Sequence, residues 1–311
     1  MLLEAIPPPR GWTAYTAGVR EDWTLTLSPD LIAEFAVGEG DTLDAPGGLI
    51  ERWAGAFEPA LVELNDGRGF VLLDRVPIES LSPVEARRVY WRVGQSLGQP
   101  IVQNVEGTLL YDVKDTGQDV GEGARFSVTN AESSFHTDAA FFDRPPEFVG
   151  LLSLQSAQSG GESQLVSCYS LHNALADEAI EQLDTLYQVF SFDRRGQFLP
   201  GEPELMVAPV FGWDGSELDT RYLHYYITEG HRAADPLTPA QTAALDKVLD
   251  IVTRPEFRVT FSLQPGQMLF TNNHWILHNR TAFEDHPEPE KRRHYIRLWL
   301  KRKQGCRQIG K

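Results

Sequence analysis

The stretch Phe135-His136-Thr137-Asp138 is the one around which the rest of this chain is organised. On an extended segment, residues two apart point to the same side, so His136 and Asp138 can bind one metal ion. A histidine from a distant strand would complete a set of two imidazoles and one carboxylate. Such a set leaves three coordination positions open on a non-heme Fe(II). His278, in Leu277-His278-Asn279-Arg280, is our candidate for that third ligand.

A His-x-acid triplet is weak support by itself, because about one is expected by chance in a chain with this many acidic residues. Taken alone, His136 would be read as a core histidine with satisfied hydrogen bonds. A second triplet, His286-Pro287-Glu288, lies in a run of Pro, Glu and Lys that is typical of a solvated turn. His136 lies among apolar neighbours, and its triplet is therefore the better metal-site candidate.

His274 competes with His278, because the two are four residues apart, as in a helical zinc pair. A zinc protease would need glutamate as general base at the next position, where this chain has Trp275. The Trp-Ile-Leu run that follows favours a strand. We therefore predict a structural role for His274.

The composition of 311 residues, 41% of them hydrophobic, favours a single large domain over residues 1–311. A net charge of −16 argues against nucleic acid and anionic membranes as partners, so local arginines must hold any anionic ligand. Cys168 and Cys306 are too few for a disulfide framework. Without a leader or a long apolar run, we expect a soluble cytoplasmic protein. The sequence leaves open whether it forms a homo-oligomer.

Several segments carry clear signals for local structure. Ser82-Pro83-Val84-Glu85 and Thr238-Pro239-Ala240-Gln241 are helix-capping signatures. They predict one helix to about Leu97 and a second whose buried side includes Leu245, Val248, Leu249 and Val252. Residues 69–73 and 148–152 read as buried strands, and residues 170–188 as a helix. Near the C-terminus, Arg293, Tyr295, Arg297 and Trp299 share one face of a strand.

Other segments lack a clear period. We expect residues 1–60 to be an irregular covering segment, and residues 111–130 to be a mobile loop that acts as a lid. Residues 190–231, rich in aromatics, are either a substrate-covering insertion or irregular core. The pattern as a whole predicts a mainly β, α+β fold, an antiparallel two-sheet barrel with helical insertions.

Three motifs in combination are similar to a known family: His-Thr-Asp at 136–138, Gly-Gly-Glu-Ser at 160–163, and Leu-His-x-Arg at 277–280 followed by Arg-x-x-x-Arg at 293–297. They resemble the taurine dioxygenase and clavaminate synthase-like family of Fe(II)/2-oxoglutarate-dependent oxygenases. The resemblance extends from about residue 70 to residue 300. It implies a double-stranded β-helix, which is a distorted jelly roll.

The same resemblance implies roles for individual residues. His136, Asp138 and His278 stand at the positions of the iron ligands. Ser163 stands where the family usually has a threonine that binds the tail carboxylate of 2-oxoglutarate, and Arg293 stands at the arginine for that carboxylate.

Two further residues are candidates for binding the substrate. Arg297 matches an arginine that meets an acidic group of the substrate in several family members. Asn130, at the end of the predicted lid, is the second candidate.

The expected activity is hydroxylation or desaturation of an unactivated C–H bond, with O2 consumed and succinate and CO2 released. The substrate would be a small polar molecule that carries an acid group, such as an amino acid, a sulfonate or a specialised metabolite. The alternative is a zinc-binding or non-catalytic β-barrel protein. Addition of Fe(II) and 2-oxoglutarate without oxygen would separate the two.

Overall fold

A computed structural model describes residues 2, 4–35, 43, 45, 47–118 and 125–303 of the chain. Its architecture is mixed α+β, with helices packed outside two main sheets. The strands are β1 (Thr24–Thr26), β2 (Phe70–Asp74), β3 (Gln99–Ile101), β4 (Leu110–Val113), β5 (Phe148–Gln155), β6 (Ser159–Gly160), β7 (Ser163–Ser167), β8 (Val189–Asp193), β9 (Leu205–Pro209), β10 (Phe211–Trp213), β11 (Leu218–Thr220), β12 (Arg258–Phe261), β13 (Met268–Asn272), β14 (Ile276–Arg280), β15 (Phe283–Glu284) and β16 (His294–Lys301). The helices are α1 (Pro29–Glu34), α2 (Leu49–Asn65), α3 (Pro83–Leu97), α4 (Cys168–Glu178), α5 (Ile180–Leu186), α6 (His224–Ala233) and α7 (Pro239–Thr253).

The larger sheet has the strand order β1-β2-β13-β5-β16-β3, and β4 also pairs with β16. The smaller sheet has the order β12-β7-β14. Strands β1 and β2 run parallel, whereas the other pairs in these sheets are antiparallel. This arrangement agrees with the prediction of a mainly antiparallel two-sheet core with helical insertions.

The hydrophobic core has two main parts, one on each face of the larger sheet. Along β16, Tyr295 belongs to the cluster that also contains Leu165 and Leu277 of the smaller sheet. Ile296 and Leu298 belong to the cluster formed with α2 and α3. Because side chains alternate along a strand, one face of β16 packs on helices and the other faces the smaller sheet.

Both predicted capping signatures begin helices. Ser82 accepts a hydrogen bond from the backbone N–H of Glu85, whose carboxylate accepts one in return, and α3 ends before Gly98. Thr238 and Gln241 form the same reciprocal pair at the start of α7. These caps satisfy N–H groups that the helix itself leaves unpaired, which is why short local motifs define the helix boundaries.

The prediction of an irregular segment over residues 1–60 is wrong. It contains β1 and α1, and α2 begins at Leu49. The helix α2 buries Trp53, Phe57, Ala60 and Leu64 against the larger sheet, at spacings of four, three and four residues. This stripe supplies the burial energy that orders the segment.

Other boundaries also differ from the predictions. The helix expected over residues 170–188 is divided into α4 and α5 at Ala179, whose backbone leaves the helical region (φ −156°, ψ 57°). Residues 190–231 form most of β8, all of β9 to β11 and most of α6.

The predicted mobile loop over residues 111–130 begins in strand β4, which pairs with β16. Residues 119–124 of that loop lie outside the described residues, and its role as a lid stays a prediction. Within the described part of the chain, no helix is long and apolar enough to cross a membrane.

Candidate metal centre

The backbone brings His136 and His278 face to face. Each donates its N–H to the carbonyl oxygen of the other at 3.0 Å, so the pair forms an antiparallel β-bridge between the 135–138 stretch and β14. In such a pair the two side chains leave the sheet on the same side. The ring centroids are 4.2 Å apart, and the predicted pairing of the two distant histidines is therefore present.

Asp138 reaches the same place from a turn rather than from a strand. The chain leaves extended geometry here, and Ala139 has a left-handed backbone (φ 53°). Asn273 holds this turn: its Oδ1 accepts from the Asp138 N–H at 2.7 Å, and its Nδ2 donates to the Asp138 carbonyl at 3.0 Å. The Asn273 side chain thus pairs the backbone N–H and carbonyl of Asp138, which a neighbouring strand would pair if Asp138 were in a strand.

The three candidate ligand atoms lie within 4.8 Å of one another. They are Asp138 Oδ1 and the Nε2 atoms of the two histidines, at 3.6 Å (His136) and 3.9 Å (His278) from that oxygen. His136 Nδ1 lies 2.7 Å from the Ser134 carbonyl oxygen, which accepts a hydrogen bond from Nδ1–H and so leaves the Nε2 lone pair for a metal. Burial, followed by the charge of His136, lowers the pKa of His278 to about 3, so this imidazole is neutral at pH 7.

The carboxylate of Asp138 is buried and has two further partners on β16. Arg297 Nη1 donates to Oδ1 at 3.1 Å, and Trp299 Nε1 donates to Oδ2 at 2.7 Å. Burial acts to raise the pKa of Asp138, but Arg297 and then His136 outweigh it and hold this pKa well below its usual range. The carboxylate is therefore ionised, as a metal ligand requires.

A second group of polar residues lies in the same cavity. Arg293 is 3% exposed, its guanidinium stacks on Tyr295 at 3.7 Å, and its Nε and Nη1 have no hydrogen-bond partner among the described residues. Ser163 and Arg280 are opposite each other in the pairing of β7 with β14, and both line the cavity with Arg293. Burial, followed by the charge of Arg293, lowers the pKa of Arg280 to about 10. Buried, unpaired guanidinium N–H groups are suited to an anionic ligand.

The Gly-Gly pair of the Gly-Gly-Glu-Ser motif has a steric cause. Gly160 has a φ of 69°, and a Cβ atom there would lie 2.2 Å from the carbonyl oxygen of Ala282. Gly161 also has a positive φ, and it lies against the Arg293 side chain. The motif therefore lets two backbone segments approach closely beside Ser163.

Three other sequence candidates lie outside the centre. His274 is in the turn before β14, and its Nδ1 lies 2.7 Å from Asp219, which agrees with a structural role. His286 belongs to a surface segment with exposed neighbours. Asn130 is exposed and does not line the cavity; its carbonyl accepts from the Phe283 N–H at 3.2 Å. The role of Asn130 in binding substrate stays a prediction.

Some residues in or beside the cavity carried no signal of their role in the sequence. Gln103 accepts from Arg297 Nε at 2.8 Å, and Asn273 fixes the turn of Asp138. An Asn-Asn pair at the end of a predicted strand is a turn signal, but its distant partner could be found only in the fold. Further polar residues from other segments complete the wall: Arg125, Arg195, Gln197 and Tyr226.

The fold and the cluster of two imidazoles and one carboxylate define a protein with a mononuclear metal site of the facial-triad type. Residues 42–299 match the family described as taurine catabolism dioxygenase TauD, TfdA family. The chain belongs to this family, and it is therefore an oxidoreductase of the dioxygenase class. The predicted dependence on iron and 2-oxoglutarate is confirmed at the level of the family and the triad.

Individual relatives agree with this assignment. The chain is 31% identical over 298 residues to FR-33289 synthase of Streptomyces rubellomurinus (strain ATCC 31215). The matched residues cover 91% of this chain and 86% of the relative. It is 26% identical to uridine-5'-phosphate dioxygenase of Amycolatopsis sp over 74% of this chain and 83% of the relative.

Among solved structures, asparagine oxygenase in complex with Fe(II), 2S,3S-3-hydroxyasparagine and succinate matches with a TM-score of 0.69 and 21% identity. That match covers 89% of this chain and 93% of the other. The non-heme iron oxygenase OrfP with Fe and alpha-ketoglutaric acid matches with a TM-score of 0.63 and 17% identity, over 90% and 94% of the two chains. At these identities the likeness shows a shared fold.

Proposed function

We propose that this protein is an Fe(II)- and 2-oxoglutarate-dependent hydroxylase of a small molecule that carries an acid group. The observation on which the proposal rests is the meeting of three ligand atoms within 4.8 Å at a cavity that also holds the unpaired guanidinium of Arg293. We further infer that the two sheets form a double-stranded β-helix, and that residues 1–311 are one oxygenase domain.

In this proposal, His136, Asp138 and His278 hold the iron. The site fits that ion, because neutral imidazoles and an ionised carboxylate leave positions for a chelating 2-oxo acid and for O2. When bound, iron and 2-oxoglutarate supply oxidation of the substrate, with succinate and CO2 as the other products. The protein contributes position, charge and exclusion of water.

Arg293 and Ser163 would bind the tail carboxylate of 2-oxoglutarate. An incoming carboxylate would satisfy the buried Nε and Nη1 of Arg293, and it would offset the repulsion between Arg293 and Arg280. The Ser163 hydroxyl is nearly buried in the same wall and can donate one further hydrogen bond.

Arg297 would orient the substrate by an acid group. It lies on the cavity wall beside Asp138, stacked on Trp299 with its guanidinium 4.7 Å from the ring centroid. The names of similar proteins support a small polar substrate, because they include a uridine-5'-phosphate dioxygenase and an asparagine oxygenase. Hydroxylation is the default outcome, and desaturation would use the same site.

The test is succinate release from 2-oxoglutarate with Fe(II), O2 and a panel of amino acids, sulfonates, phosphate esters and phosphonates. A substrate should raise the rate of succinate release well above the rate without substrate. Its product should gain one oxygen atom, or lose two hydrogens in a desaturation. Iron-loaded protein that forms no succinate under any condition, even slowly without substrate, would overturn the proposal.

A further inference from the structure

A positive charge lies next to the oxygen atom that Asp138 would offer to a metal. This oxygen, Oδ1, faces the Nε2 atoms of His136 and His278, and it also accepts a hydrogen bond from Arg297 Nη1 at 3.1 Å. The side chains of Arg297 and Asp138 are 16% and 5% exposed, so water and salt screen this pair weakly. An ion that binds Oδ1 would therefore share that oxygen with a guanidinium.

The Arg297 guanidinium is held in place by a buried amide and two aromatic rings. Gln103 Oε1 accepts from Arg297 Nε at 2.8 Å, and Gln103 Nε2 donates to the carbonyl oxygens of Leu109 and Arg297, both at 2.9 Å. The guanidinium carbon lies 4.7 Å from the Trp299 ring centroid and 5.1 Å from that of Tyr111. The charge could leave the carboxylate only by losing these contacts.

The two donors to the Asp138 carboxylate differ in charge. Trp299 holds Oδ2 with a neutral indole N–H, whereas Arg297 brings a unit positive charge to Oδ1. A guanidinium and a divalent ion beside one carboxylate repel each other, and this repulsion is stronger in a buried site than in water. The charge of Arg297 should therefore weaken metal binding, while the indole only orients the ligand.

Arg297 also has a nitrogen available for a ligand. Its Nε bonds to Gln103 and its Nη1 to Asp138, whereas Nη2 has no hydrogen bond to any residue that the structure describes. Arg297 lines the cavity together with Asp138. An oxyanion bound at Nη2 would place negative charge beside the guanidinium and reduce its repulsion of a metal. By linkage, the metal and the oxyanion would then strengthen each other's binding.

We propose that Arg297 is a positioning residue that couples metal binding to substrate binding. Its charge opposes a metal at Asp138, and the acid group of the substrate relieves this opposition by binding to the same guanidinium. The inference rests on the proposed function, and it adds that iron and an anionic substrate bind cooperatively. A neutral analogue of the substrate would bind without this gain, so the coupling also favours acid-bearing substrates.

The first measurement is the dissociation constant for Fe(II) without oxygen, at a fixed ionic strength set with chloride. Arg297→Gln should bind Fe(II) about tenfold more tightly than the wild type, or tighter still, because the opposing charge is gone. Arg297→Lys keeps the charge and should bind Fe(II) about as the wild type does. A residue that only oriented Asp138 would give the opposite result, with weaker binding in Arg297→Gln.

Arg302→Gln is the matched control for the loss of a largely buried arginine. The Arg302 side chain is 15% exposed, and it donates to both carboxylate oxygens of Glu217, at 2.9 and 2.7 Å. It follows β16 directly and does not line the cavity. This variant should lose stability but should bind Fe(II) with the wild-type constant.

The second measurement repeats the Fe(II) titrations with methanesulfonate in place of chloride at the same ionic strength. Methanesulfonate should tighten Fe(II) binding to the wild type, and it should have no such effect on Arg297→Gln. The inference is overturned if Arg297→Gln binds Fe(II) no more tightly than the wild type, or if replacing chloride has the same effect on both proteins. A wild-type protein that binds no Fe(II) would instead contradict the proposed function itself.

Discussion

Trp299 donates its indole N–H to Oδ2 of Asp138 at 2.7 Å, while Oδ1 of the same carboxylate faces the Nε2 atoms of His136 and His278. The two oxygens of one buried carboxylate thus have different partners. Because Oδ1 faces the two imidazoles while the indole fixes Oδ2, we expect Asp138 to bind iron through Oδ1. A hydrogen bond of this kind orients a metal ligand without touching the metal.

Trp299→Phe should weaken iron binding by about tenfold, because it keeps the aromatic packing but removes the hydrogen bond that orients Asp138. The dissociation constant for Fe(II), measured without oxygen, checks this. Trp213→Phe, in strand β10 and outside the cavity lining, should leave the constant unchanged. An unaltered constant in correctly folded Trp299→Phe would show that the indole does not orient the ligand.

Asn273→Ala should lower the free energy of unfolding by about 3 kcal/mol, because buried hydrogen bonds to the Asp138 and Pro146 backbone are lost and their partners stay buried. It should also weaken iron binding. Asn272→Ala is the control, since Asn272 is equally buried but bonds to the Leu64 carbonyl. Urea unfolding should show destabilisation of both variants, with iron binding weakened in Asn273→Ala alone. Equal iron binding in the two would contradict the role of Asn273.

Arg293→Gln and Arg297→Gln should affect different ligands. Loss of a charge-assisted contact costs about 1.5 to 3 kcal/mol, which is about one to two decades in affinity. Arg293→Gln should weaken 2-oxoglutarate binding by that factor with the substrate constant nearly unchanged, and Arg297→Gln should do the reverse. Titration of 2-oxoglutarate and of the substrate into the iron-loaded protein measures the two binding constants. If both variants weaken only 2-oxoglutarate binding, Arg297 does not bind the substrate.

Stability should decrease as the pH falls from about 6.5 to about 4, in part because of His172 on α4. Burial lowers the pKa of His172 to about 4, below the ordinary value of 6.5 that applies in the unfolded chain. Between these values the unfolded chain binds the proton and the folded protein does not, so stability is retained above 6.5 and lost toward 4.

The size of this effect is about 3 kcal/mol across the window, from about 1.4 kcal/mol per pH unit. His172→Phe, which keeps the ring contacts with Tyr187 and Phe211, should show a flatter dependence of Tm on pH between 7 and 4. Identical slopes in the two proteins would mean that His172 does not contribute.

The parts of this fold that could be predicted from the sequence are those determined by neighbouring residues. The capping pair Ser82 and Glu85 defines the start of α3, and Gly98 follows its end, because the hydrogen bonds involved are local. The break at Ala179 has no such signal, since neither glycine nor proline marks it. The helix α2 was missed because it contains Pro59 and follows a run of turn residues.

In the candidate site, too, local features could be predicted from the sequence and contacts between distant segments could not. The sequence was sufficient to predict that His136, Asp138 and His278 form one site, because of the spacing of the first two and the motif around the third. The hydrogen bond from Trp299 to Asp138 and the clamp by Asn273 depend on strands far apart in the chain. Nothing local in the sequence distinguishes these two residues from ordinary core and turn residues.

The absorption spectrum of the protein with Fe(II) and 2-oxoglutarate in the absence of oxygen tests the central claim most directly. A 2-oxo acid chelated to iron gives a weak visible charge-transfer band. We expect this band in the wild type and in His274→Ala, whose imidazole bonds to Asp219 outside the centre, and we expect its loss in His278→Ala. A band that persists in His278→Ala but disappears in His274→Ala would contradict the assignment of the metal centre.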